Sequence, residues 1–109
     1  MSWEVRYLPE AEKDVMRLAR SQQIIVQKAI RKVRQNPLPL NEGGYGKPLG
    51  HRHGTNLTSF LKIKLRGEGI RVVYKLIRTE TQMLVVVVGV REDEEVYDLA
   101  QRRRDKYEL

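Results

Sequence analysis

The feature that most constrains this chain is the alternation running through residues 57–90. Between Leu57 and Leu65, one parity carries Leu57, Leu61, Ile63 and Leu65, and the other carries Phe60, Lys62 and Lys64. The pattern returns from Ile70 to Arg78, where Ile70, Val72, Tyr74 and Leu76 stand opposite Arg71, Val73, Lys75 and Ile77. A period of two belongs to strands, because successive side chains point to opposite faces. Arg66-Gly67-Glu68-Gly69 supplies a glycine-bearing turn between the two segments. Thr79-Glu80-Thr81 turns the chain again, and Met83 to Val90 is apolar at both parities, as a central strand should be. An antiparallel meander of three strands is predicted here.

The first third of the chain has a different rhythm. Trp3-Glu4-Val5-Arg6-Tyr7 alternates like a short strand. Pro9 suits a helix start, where its missing N–H costs nothing, and Glu10 and Glu12 suit the positive helix end. Val15, Met16, Leu18 and Ala19 supply an apolar stripe. Ser21 is the candidate N-cap of a second helix, with Ile25, Ala29, Ile30 and Val33 on one side. Asn36-Pro37 closes it, since the residue before proline avoids the helical region. Residues 37–56 hold five of the eight glycines and three of the four prolines and are predicted to be a loop. No phosphate-binding glycine motif occurs in it. Glu92 to Arg104 forms a last helix, acidic in its first turn and basic in its last. The predicted order is βααβββα, a single α+β domain over residues 1–109 with helices against one sheet face.

Charge is unevenly distributed. Basic residues exceed acidic ones by 21 to 14, a formal net charge of +7. Lys13 to Arg34 contains seven basic residues against Asp14, and Lys62 to Arg78 contains six against Glu68. Five acids crowd between Glu92 and Asp98. Basic surface of this density attracts polyanions, with nucleic acid the usual one, although acidic proteins fit the same charge. The absence of cysteine excludes thiol nucleophiles, disulfides and zinc-thiolate sites. His51 and His53 are the only histidines, which gives little support to a metal site. No cofactor is expected. The N-terminus lacks the order of a signal peptide, and no apolar run approaches a membrane span, so a cytoplasmic protein without membrane association is expected.

Pairing Leu65 with Ile70 across the turn sets Lys64 opposite Arg71 and puts Lys62 on the same face. A one-residue slip would send every apolar side chain to the wrong side, so the register is well specified. Like charges opposed across strands destabilise a sheet. An anion in that place would offset the cost, while long side chains splayed into solvent are the plainer alternative. A cluster of lysine and arginine without metal or histidine can still cleave RNA, because the substrate carries its own nucleophile, the 2′-hydroxyl. A lysine of lowered pKa can act as base, and arginines can stabilise the phosphorane. This chemistry requires the cations to converge on an open anion pocket. Cations that point away from each other, or that are tied up by the protein's own carboxylates with no vacant anion pocket, would sink it.

Three motifs in joint spacing carry a resemblance. Leu61-Lys62-Ile63-Lys64-Leu65-Arg66, Gly69-Ile70-Arg71-Val72-Val73-Tyr74, and Val88-Gly89-Val90-Arg91-Glu92 followed by Glu95-Val96-Tyr97 strongly resemble the RelE toxins of bacterial toxin–antitoxin modules. The resemblance extends from Trp3 to about Arg104. It implies a small toxin that enters the ribosomal A site and cuts messenger RNA there without metal, restrained by a cognate antitoxin. Position by position, Lys62 and Lys64 match the lysines of base catalysis and charge stabilisation. Arg71 matches the arginine on the scissile phosphate, and Arg91 the arginine that assists the leaving group or transition state. Tyr97 matches the tyrosine on which a codon base stacks. Arg66 and Arg52 are the further candidates for RNA contact. The related ParE toxins share the fold but poison DNA gyrase without cleaving RNA, which is the competing expectation. The loop over 38–56 and the tail from Arg103 run longer than the family pattern.

Overall fold

The alternating segments become strands in the predicted register. A computed structural model describes residues 2–52, 55–90 and 92–109, and for residues 50–52, 55 and 56 the backbone alone. Five strands, β1 (Glu4–Tyr7), β2 (Lys47–Arg52), β3 (Thr55–Leu65), β4 (Ile70–Ile77) and β5 (Gln82–Gly89), form one sheet in the order β1-β5-β4-β3-β2. Leu65 pairs with Ile70 and Lys64 with Arg71, as the turn dictates. Gly69 takes φ +66° in that turn, a left-handed conformation that glycine adopts without the clash a Cβ would bring. β1 runs parallel to β5, whereas every other pair is antiparallel.

The predicted loop contains more structure than expected. Leu40–Glu42 is a turn of 3-10 helix, and β2 adds a fifth strand at the sheet edge beside β3. Pro48 is tolerated there because an edge strand leaves one side unpaired, and the register shifts between Pro48 and Gly50.

The helices are α1 (Pro9–Met16), α2 (Arg20–Val33) and α3 (Asp93–Tyr107). α1 is eight residues long and turns Ala11 and Asp14 inward, while Met16 is 76% exposed. The predicted stripe fails at its end because the chain leaves the helix at Arg17. Ala19, rather than Ser21, takes the cap position of α2, and its N–H donates to the Gln22 side chain at 3.1 Å. α2 buries Val26, Ile30 and Val33, spaced to lie along one side of the helix.

Helices cover both faces of the sheet, not one. Val5 and Tyr7 of β1 meet α1 and α2 at two grooves, and they share a face with Met83, Val85, Tyr74 and Leu61 through the strand register. The Tyr74 hydroxyl donates to the Pro37 carbonyl at 2.7 Å on that side. α3 lies across the opposite face, where it meets Lys62 and Lys64. Val85 to Val88 are therefore all buried, which accounts for an apolar run at both parities. Among the described residues no helix is long and apolar enough to cross a membrane.

At one edge of β5 a charged pair completes the backbone. β1 reaches only as far as Val85 in register. Beyond it, the Val88 N–H donates to Asp14 at 3.1 Å, and Arg103 of α3 donates to the Val86 carbonyl at 2.8 Å. Arg103 and Asp14 are joined at 2.6 Å. The two side chains thus take the place of a missing strand rung and bind α3 to α1 around the sheet edge.

Candidate anion-binding site

Lys62 and Lys64 come from β3 and Arg71 from β4, and strand parity puts all three on the face beneath α3. Lys62 is buried, at 6% exposure, an unusual place for an amine. Its Nζ donates to the Tyr97 hydroxyl of α3 at 2.6 Å, which replaces hydration lost on burial. Tyr97 is 1% exposed. In this arrangement its ring has no face open to a nucleobase, and its hydroxyl is the partner of the Lys62 amine.

Lys64 and Arg71 are partly exposed and converge on Asp93, the first residue of α3. Lys64 Nζ donates to Oδ2 at 3.0 Å, and Arg71 Nε donates to Oδ1. Arg71 Nη1 also reaches the Gly69 carbonyl at 3.4 Å. Burial opposes ionisation of Asp93, but the hydrogen bonds from Lys64 and Arg71 outweigh it and hold the carboxyl below its usual range. The opposed cations are thus stabilised by an anion, and that anion belongs to the protein itself. The condition set by the sequence is met for convergence and not for vacancy. A shallow groove of about 250 Å³ remains open beside the pair, lined by Lys64, Leu65, Arg66, Gly69, Ile70 and Arg71. Arg66, exposed in the turn, stands at this groove.

Arg91 lies outside the described residues, as does the side chain of Arg52, whose backbone is in β2. His53 and the side chain of His51 lie outside them as well. Among the described residues no three His, Cys, Asp or Glu side chains gather as a metal would need. A larger hollow of about 500 Å³, bordered by Glu42, Thr58, Leu76 and Arg78, lies elsewhere. Among the described residues its charged lining is the Arg78–Glu42 ion pair at 2.8 Å, with no second cation beside it.

Two participants escaped sequence reasoning. Asp93 belongs to an acidic turn that helix capping already explains. Lys47 pairs directly with Lys62 across β2 and β3, so it shares that face, and it is exposed. Recognising it required β2 to be read as a strand, and the alternating Lys47-Pro48-Leu49 was the available signal.

The architecture and site invite comparison with known proteins. No family model matches the chain. A RelE-like toxin protein of Escherichia coli is 32% identical over 103 residues, covering 94% of this chain and 98% of the relative. The chain belongs to the RelE toxin family. Solved RelE structures agree. A double mutant of Escherichia coli RelE in the free state superposes with a TM-score of 0.72 at 27% identity, covering 94% of this chain and 98% of that one. The same mutant RelE bound to a peptide of the antitoxin RelB gives 0.67 at 26% identity, covering 92% and 95%. The α+β sandwich is the RelE fold.

Proposed function

We propose that this RelE-family chain is the toxin of a toxin–antitoxin module and cuts messenger RNA in the ribosomal A site without metal. The observation that carries this reading is that Lys62, Lys64 and Arg71 share one sheet face, and that a groove of about 250 Å³ lined by Lys64, Arg66 and Arg71 stays open beside the Asp93 carboxylate that two of them hold. A seat that grips two oxygens of a carboxylate suits two non-bridging oxygens of a phosphodiester.

In the proposed reaction a lysine of the Lys62–Lys64 pair takes the proton from the 2′-hydroxyl. The 2′-oxygen attacks the adjacent phosphorus, and Arg71 and Lys64 stabilise the phosphorane charge. The bond to the 5′-oxygen breaks, and that oxygen takes a proton from Arg91 or from water while Arg91 stabilises its charge. The products are a 2′,3′-cyclic phosphate and a 5′-hydroxyl. Tyr97 holds Lys62 in place from α3. Arg66 and Arg52 contact flanking RNA. RelE has been solved with a RelB peptide, and a cognate antitoxin is the proposed partner here.

Mapping transcript ends in cells expressing the protein tests the reading. Breaks within codons, abolished by Arg71→Ala or by Lys62→Ala with Lys64→Ala, are expected. Intact messages together with DNA breaks would favour the ParE-like gyrase alternative and overturn it.

A further inference from the structure

The acid between the two cations asks for an explanation beyond capping. Asp93 sits on α3, a different element from both of its partners, and presents one oxygen to each. Its neighbours Glu92, Glu94 and Glu95 are exposed on the same turn. Asp93 itself keeps 31% of its side-chain surface open, so it can leave by side-chain rotation without unseating the helix. The positive end of α3 favours an anion at this place whether that anion is a carboxylate or a phosphate.

We propose that Asp93 is an internal stand-in for the substrate phosphate, occupying the Lys64–Arg71 seat until RNA displaces it. The proposal rests on the reading of that seat as the phosphate site. A tethered group competes at an effective concentration of roughly millimolar or more. A small free anion meets that competition alone and loses. A polyanion already held at other points brings its phosphate to the seat intramolecularly and wins. Asp93 therefore acts as a specificity residue that rejects isolated phosphates and admits only anchored RNA.

The test uses the full chain with two probes, an uncleavable 2′-O-methyl RNA oligonucleotide and inorganic phosphate. Asp93→Asn keeps the shape and removes the charge, and Asp93→Ser keeps a residue suited to a helix start. Both are expected to bind the oligonucleotide at least tenfold tighter than wild type and to bind phosphate detectably. Glu94→Gln makes the same change in net charge one residue away and is expected to shift affinity less than threefold. Circular dichroism checks that α3 remains folded in each variant. If Asp93→Asn and Asp93→Ser gain no more than Glu94→Gln while Arg71→Ala still weakens binding, the stand-in role is wrong and the seat survives. If Lys64→Ala and Arg71→Ala leave oligonucleotide binding unchanged, the seat itself is misassigned and the stand-in falls with it.

Discussion

At the scale of single residues, the charges that organise this protein are those whose partners are far away in the chain. Asp14 and Arg103 are separated by 89 positions yet meet at 2.6 Å, both nearly buried. Removing one partner of such a pair strands the other without compensation. Asp14→Ala also orphans the Val88 N–H. The expected loss is about 3 kcal/mol of stability, read as a lower urea midpoint at an unchanged slope. Asp14→Asn, which keeps an acceptor for that N–H, should lose less. None of this was legible locally, because Asp14 reads as one more solvated charge on a helix. The burial of Lys62 was illegible for a related reason. Alternation places it correctly opposite Leu61 and Ile63, but only the return of α3 over that face buries it. Asp93 shows the same limit, since its two partners lie 29 and 22 residues earlier.

At the scale of elements, period and turn chemistry carried the β3–β4 hairpin, down to the Lys64–Arg71 pairing. They failed for β2, where glycine and proline enrichment is the ordinary mark of a loop and equally fits an irregular edge strand. α3 was expected from its charge gradient, but its attachment was not. Its C-terminal end is clasped to α1 by Glu10, which accepts from Lys106 at 2.8 Å and from the Tyr107 hydroxyl at 2.7 Å. The hydrogen bonds from Lys106 and then Tyr107 hold the Glu10 carboxyl down at about 2, against an ordinary value of 4.5. The folded state thus binds this proton more weakly than the unfolded chain does. The clasp contributes fully above pH 4.5 and fades as pH falls toward about 2. Glu10→Gln should lower the thermal midpoint at neutral pH and leave it little changed near pH 2. Melting curves of both proteins across that window test this, and a constant difference would refute it.

At the scale of the whole molecule, the excess of seven positive charges sets how the protein would meet a polyanion. If the seat grips phosphate, the logarithm of RNA affinity falls linearly with the logarithm of salt, by about 0.7 per phosphate contacted on a single strand. Arg71→Ala should weaken binding across sequences and reduce that slope by about 0.7, which fluorescence titration at several salt concentrations measures. The sequence foretold the α+β class and the sign of the field. It did not foretell helices on both faces, because an apolar strand reveals that it is covered and not by what.

The pairing of Glu4 with Gln82 has a temporal consequence. β1 is made well before its partner β5, and α3, which covers the Lys62–Lys64 face, is made after both. A nascent copy therefore holds an unfinished sheet until β5 has been made. The parallel edge thus ties closure of the sheet to a pairing between distant parts of the chain, so neither the sheet nor the face beneath α3 can be assembled from the segment before β5 alone.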